Sequence, residues 1–287
     1  FLARDNEVWG VARFGAGGSR ERAEAIGVTT HVADLASGDL NGLPDDFTHL
    51  VHFAAWQGKA LDHDWAIRAN AEATGLVMNH CRRAAGALIA STNSVYRPHQ
   101  DPMHRYVETD PLGDATAPHS PTYGVSKVSQ EAVARTMARV LDLPTTITRI
   151  NASYGPNGGL PAYHGDWVAA GESVWLREPG PNAYSPIHED DMARQVEALL
   201  EAASAPATIV NWCGDDVVTA EEWVALYGAH LGVEPKLARY ELPGGQPGSA
   251  GDPTRRLSLT GPCTIGWRDG MVTTLDARVD SRNSASN

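Results

Sequence analysis

Residues 87–96 read Ala87-Leu88-Ile89-Ala90-Ser91-Thr92-Asn93-Ser94-Val95-Tyr96, and this stretch decides the fold. Four apolar residues without alternation predict a short strand buried on both faces, as in a parallel sheet. Hydroxyl-bearing residues then gather where the strand ends. Ligands of open parallel sheets sit outside the carboxyl ends of the strands, so Thr92 is expected to face a bound molecule. Downstream, Ser120-Pro121-Thr122-Tyr123-Gly124-Val125-Ser126-Lys127 opens a helix-patterned stretch. Ser120 is placed as its cap and Pro121 at its first position. Val125, Val128, Ala132, Val133, Met137 and Val140 follow at helical spacing, and the pattern stops near Leu143-Pro144. Tyr123 and Lys127 stand four apart and leave the same helix face. A phenol with a resting pKa near ~10 is a poor base at neutral pH, but an ammonium one turn away favours the phenolate. The pair is a candidate proton-transfer device, although the same spacing also occurs on ordinary solvated helices.

Strand-like and helix-like runs alternate through Asn151, which predicts an α/β, doubly wound parallel sheet. A chain of 287 residues, 42% hydrophobic, can bury one large core with a smaller lobe attached. Its formal charge of −12 argues against nucleic acid or anionic membrane as partners, since both demand a basic face. No apolar run approaches a membrane span and no signal-peptide pattern opens the chain, so a cytoplasmic protein with a small-molecule partner is expected. Cys81, Cys213 and Cys263 are widely spaced and odd in number, which predicts reduced thiols rather than a disulfide framework or a zinc cluster. His99 and His104 around Asp101 lack the spacing of helical metal pairs, and no metal is predicted.

Taken in order, several segments resemble the extended short-chain dehydrogenase/reductases, the NAD-dependent epimerase/dehydratase family. Val32-Ala33-Asp34-Leu35 looks like the family's third strand, His49-Leu50-Val51-His52-Phe53-Ala54-Ala55 like its fourth, and Asn70 like the helix Asn that buttresses the site. Ser91 to Tyr96 matches the serine/threonine strand, and Tyr123 with Lys127 matches the catalytic helix. Arg149-Ile150-Asn151-Ala152-Ser153-Tyr154-Gly155-Pro156 is similar to the sixth strand, and Ser185-Pro186-Ile187-His188-Glu189-Asp190-Asp191 to the stretch before a later helix. The resemblance implies a Rossmann domain binding NAD(P) through Asp34, Leu35, Phe53, Ala54, Ala55, Asn70, Tyr123 and Lys127. It further implies catalysis by Thr92, Tyr123 and Lys127, with the Tyr123 helix packed across a two-fold axis in a homodimer.

The family opens with a strand and a Gly-x-x-Gly-x-x-Gly turn that cradles pyrophosphate. Here Phe1-Leu2-Ala3-Arg4 already reads as a helix end, followed by strand Glu7 to Arg13, so that opening, on the order of 20 to 30 residues, is expected to be missing. A rival reading makes Gly15-Ala16-Gly17-Gly18 the phosphate loop, but its third glycine would fall at Arg20. If the strand ending at Arg13 is the second one, its tip faces the adenosine 2′ position, and an Arg there tilts the choice toward NADP.

Asn93-Ser94 stands where sugar 4,6-dehydratases carry Asp-Glu, which disfavours elimination and leaves epimerisation or carbonyl/alcohol redox. The reading taken is an NAD(P)-dependent epimerase or oxidoreductase acting on a sugar-like or small carbonyl compound. The alternative is a dinucleotide-binding regulatory protein without turnover. Ser94, Asn151 and Arg177 are placed on the substrate side, with Arg255-Arg256 as further cations. The long polar connection 97–119 reads as a lid or binding loop. Residues 1–155 are assigned to the dinucleotide-binding domain, with 185–226 returning to it. Residues 156–184 and 227–279 form the substrate lobe, and 280–287 a disordered tail.

Overall fold

The computed structural model describes residues 2–117, 119–241, 243–246 and 248–285. Its first half contains β1 (Val8–Ala12), α1 (Ser19–Ala25), β2 (Val28–Val32), β3 (His49–His52), α2 (His63–Ile67), a π-helical turn (Arg68–Glu72), α3 (Ala73–His80), β4 (Gly86–Thr92), α4 (Tyr123–Val140) and β5 (Thr145–Ile150). The second half adds β6 (Ser153–Tyr154), α5 (Leu160–Ala169), β7 (Ser173–Glu178), β8 (Ala183–Tyr184), β9 (Ile187–His188) and α6 (Glu189–Glu201). It ends with β10 (Thr208–Trp212), β11 (Val218–Thr219), α7 (Ala220–Leu231), β12 (Lys236–Glu241), α8 (Thr254–Thr260) and α9 (Trp267–Ala285).

The central sheet is four-stranded and parallel in the order β10-β5-β4-β3, with Ile89 opposite Ile147 and Leu88 opposite Val51. The unalternating run in β4 has the predicted cause. Ala87 and Ile89 pack with Met78, Cys81 and Ala134 from α3 and α4, while Leu88 packs with Val196 and Leu199 from α6 on the opposite face. Each such fully buried Leu or Ile contributes about 1.5–3 kcal/mol. Helices on both faces make the sheet doubly wound, as expected.

β1 and β2 pair with each other in a separate two-stranded parallel sheet. A cleft of about 1460 Å³ lies between β1 and β3, lined by Val8, Trp9, Val11, Leu50, Val51 and Phe53 among others. β12 pairs with β7, and around them Tyr154, Val174, Trp223, Tyr227, Met271 and Leu275 build a second core.

Several boundaries differ from the expectations. β2 ends at Val32, and Asp34 instead caps the 3-10 turn Leu35–Ser37, accepting from the Ala36 amide. α4 begins at Tyr123 rather than Pro121, because Ser120 to Thr122 form a turn in which the Tyr123 amide donates to the Ser120 carbonyl. α6 begins at Glu189, capped by His188, so Asp190 and Asp191 lie in its first turn. Trp223 and Val224, within the segment assigned to the first domain, pack in the second core because the apolar face of α7 meets α5 and α9. α9 continues to Ala285 where a disordered tail was expected from Asp280, held by buried Leu275 and half-buried Val279; Ser286 and Asn287 lie outside the described residues.

Candidate active site

The carboxyl end of β4 and the first turn of α4 bring Thr92, Tyr123 and Lys127 together. Thr92, the last residue of β4, accepts a hydrogen bond from the Ser94 amide at 3.2 Å, which turns the chain away from the sheet. The Tyr123 hydroxyl lies within hydrogen-bonding reach of the Thr92 and Gln57 side chains. One turn on, Lys127 is buried, its Nζ donating to the Ala90 carbonyl at 2.7 Å and standing 5.9 Å from the Tyr123 ring centroid. The approach of α4 depends on Gly124. A Cβ there would lie 2.7 Å from the Ala115 carbonyl oxygen and 3.1 Å from that of Ser94.

Burial governs the electrostatics. It pushes the Tyr123 phenol above its ordinary pKa, against the opposing bonds from Gln57 and Thr92. In the chain by itself, desolvation outweighs the hydrogen bonds that favour the phenolate. Burial also lowers Lys127 to about 8, with the Glu131 charge opposing it, so the ammonium still predominates at pH 7.

The residues that the resemblance assigned to the cofactor have varied surroundings. Leu35, Phe53 and Ala54 border the large cleft, and residues 53–55 are exposed where β3 ends. Asn70 is buried in the π-helical turn; its Oδ1 accepts from the Trp56 amide at 2.7 Å, and its Nδ2 donates to the Trp56 carbonyl and to Ser126 Oγ. Both Asn70 amide hydrogens are thereby used in tying the loop after β3 to α4. Arg13 is exposed just beyond β1.

A dinucleotide's nicotinamide-ribose end fits this arrangement: a buried amine and a half-buried phenol stand at the carboxyl end of β4, and exposed residues 53–55 follow β3, its parallel neighbour. The phosphate portion finds no matching cradle among the described residues. Gly15 to Gly18 follow β1, which pairs with β2 and not with β3, so that turn is not at the edge of the central sheet. It leads into α1, a helix of 7 residues.

On the substrate side, the three residues expected there take different roles. Ser94 is half-buried next to Thr92. Asn151 has its oxygen occupied by the Ala152 and Ser185 amides, and its nitrogen donates to the Ser249 carbonyl. Arg177, on β7, donates to the Gln246 carbonyl, and the Gln246 amide in turn donates to the carbonyls of Tyr96 at 3.0 Å and Asn93 at 3.4 Å. Partial burial, followed by the Arg177 charge, lowers the pKa of His119. The connection 97–119 is tethered by bridges Tyr96 to Leu112 and Tyr106 to Gly251. Sequence reasoning missed Gln57, Gln246 and Glu131. Gln57 and Gln246 sit in loops without a periodic pattern; Glu131 was readable as the residue one turn beyond Lys127.

A family profile described as "NAD dependent epimerase/dehydratase family" matches residues 1–213. No curated protein matches the chain. Among solved structures, UDP-glucuronic acid 4-epimerase from Bacillus cereus in complex with NAD superposes with a TM-score of 0.80 at 18% identity, covering 97% of this chain and 92% of that one. MoeE5 in complex with UDP-glucuronic acid and NAD gives 0.76 at 21% identity, over 96% of this chain and 100% of that one. DesIV, a dTDP-glucose 4,6-dehydratase from Streptomyces venezuelae with NAD and TYD bound, gives 0.81 at 20% identity, over 97% and 89%. At these identities the likeness establishes the fold.

Proposed function

The chain belongs to the NAD dependent epimerase/dehydratase family of enzymes, and from that premise we propose that it catalyses NAD(P)-dependent hydride transfer at a carbinol or carbonyl carbon of a sugar-like or small carbonyl substrate. The observation that carries this reading is the convergence of the Tyr123 hydroxyl with Thr92 and Gln57, one turn from a buried ammonium, at the end of β4. The bound dinucleotide supplies the hydride acceptor or donor. In the oxidising direction Tyr123, as the phenolate, would take the substrate hydroxyl proton while the carbinol hydride leaves to the dinucleotide; in the reverse direction the phenol would return the proton. Thr92 holds the same substrate oxygen, and Lys127 favours the charged phenolate electrostatically. Leu35, Phe53 and Ala54 border the nucleotide, and Asp34 faces the adenine.

Epimerisation or redox is favoured over elimination of water, because Asn93 and Ser94 carry no carboxyl group to act as acid or base. Nucleotide sugars head the substrate panel, given the UDP-sugar and dTDP-glucose enzymes among the structural neighbours. Arg13 favours NADP over NAD, and α4 is the surface through which a homodimer would form.

The test is hydride exchange into NAD and NADP, assayed with UDP- and dTDP-sugars and simple ketones. Tyr123→Phe should lower kcat about 100-fold or more while the thermal midpoint stays near that of the wild type. Equal turnover in the variant would remove Tyr123 from the reaction.

A further inference from the structure

Resting on the reaction assigned to this site, we propose that Glu131 is a positioning residue: its carboxylate is the fixed counter-charge that keeps the Lys127 ammonium buried on the Ala90 carbonyl behind Tyr123. Glu131 lies one turn beyond Lys127 on α4, with its side chain 2% exposed. It is held from three elements. Arg149 on β5 grips it with two bonds, Nε to Oε1 at 2.9 Å and Nη2 to Oε2 at 2.8 Å; Ser91 on β4 donates to Oε1 at 2.7 Å; Arg135 on α4 donates to Oε2 at 3.2 Å. Arg149 is itself fully buried, donating to the Glu108 carbonyl at 3.0 Å with its guanidinium 4.7 Å from the Tyr96 ring centroid. The carboxylate therefore has almost no freedom to move.

A buried ion pair of this kind adds little net stability over apolar residues of the same volume, so stability alone does not account for it. Two buried cations, Lys127 and Arg149, and the partly exposed Arg135 surround the one Glu131 carboxylate. The groups facing Lys127 are His52 on β3, the Ala90 carbonyl on β4, and Tyr123 and Glu131 on its own helix. Burial, followed by the Lys127 charge, keeps His52 neutral down to about pH 4, so it adds no second positive charge beside the ammonium. Glu131 is the anion that pushes back against the desolvation of Lys127. Losing it would let Lys127 shed its proton near neutrality, and Tyr123 would lose the charge behind it.

The sequence supplies a direct probe, since its lysines are Lys59, Lys127 and Lys236 alone. A chain labelled with 13Cε-lysine gives three resonances that can be titrated without cofactor, with Lys127 assigned by its loss in Lys127→Arg. In Glu131→Gln the Lys127 midpoint should fall by about one pH unit or more, while Lys59 and Lys236 stay fixed. The double variant Glu131→Gln/Arg149→Met removes both charges, avoids a lone buried cation and should lower the midpoint as well, should the single variant fail to fold. In turnover, the alkaline limb of kcat should move down with the Lys127 midpoint while KM stays within about threefold. A Lys127 midpoint unmoved in both variants, with the chain folded, overturns the proposal. A shifted midpoint in a protein whose wild type exchanges no hydride with any substrate leaves the Glu131–Lys127 coupling standing and sinks the assigned reaction instead.

Discussion

Lys127 and His52 share one buried environment, and desolvation acts on both by disfavouring the charged form. His52 Nε2 lies 3.0 Å from Thr74 Oγ1, whose own proton goes to the Asn70 carbonyl, so His52 Nε2 must carry the hydrogen. His164 is neutral for the same reason, its Nδ1 accepting from Trp223 Nε1 at 3.1 Å. Both imidazoles sit at about 4 when folded, against 6.5 as the ordinary value. Between those values the unfolded chain binds more protons, so stability is full above about pH 6.5 and is lost as pH falls toward 4. Each histidine should contribute roughly 1–3 kcal/mol to that loss. Urea unfolding midpoints measured across this window should decline steeply in the wild type and more gently in His52→Gln; equal slopes would show that His52 is not the group being titrated.

Helix ends were read from the sequence with mixed success, and the difference is physical. The box Thr219-Ala220-Glu221-Glu222 is a local device: Thr219 Oγ1 accepts from the Glu222 amide while Glu222 accepts from the Thr219 amide at 2.8 Å. Thr219→Ala should cost about 1 kcal/mol, read as a lowered denaturation midpoint, with hydride transfer unaffected because the box's bonds run only between Thr219 and Glu222. The start of α4 has no such local determinant, since Thr122 makes no side-chain cap bond. It is set by how closely Gly124 lets the helix approach the Ser94 and Ala115 carbonyls, which are contacts between distant segments. The π-helical turn at Arg68–Glu72 was equally unreadable; within it Asn70 donates to Ser126 Oγ on α4.

At the scale of the molecule, residues 246 and 248–252 join the two cores. Gln246 bonds to Asn93 and Tyr96, the Ser249 carbonyl accepts from Asn93 and Asn151, and the amides of Tyr106 and Asp252 pair with Ala250 and Tyr106. Gln246→Leu should raise KM roughly five- to tenfold with a smaller change in kcat, because it loosens β7, which carries Arg177, against the end of β4 without touching Tyr123. An unchanged KM would mean that the Asn93 and Asn151 bonds suffice. The sequence by itself determined the doubly wound parallel sheet and the pairing of Tyr123 with Lys127, because strand burial and helical periodicity are written in neighbouring residues. Tertiary structure alone decided which polar groups meet across long separations: Gln57 at Tyr123, Glu131 on Arg149, and Gln246 at Asn93. It also decided that burial outweighs the Gln57 and Thr92 hydrogen bonds at the Tyr123 phenol, since desolvation depends on the whole surrounding shell and not on any neighbour along the chain.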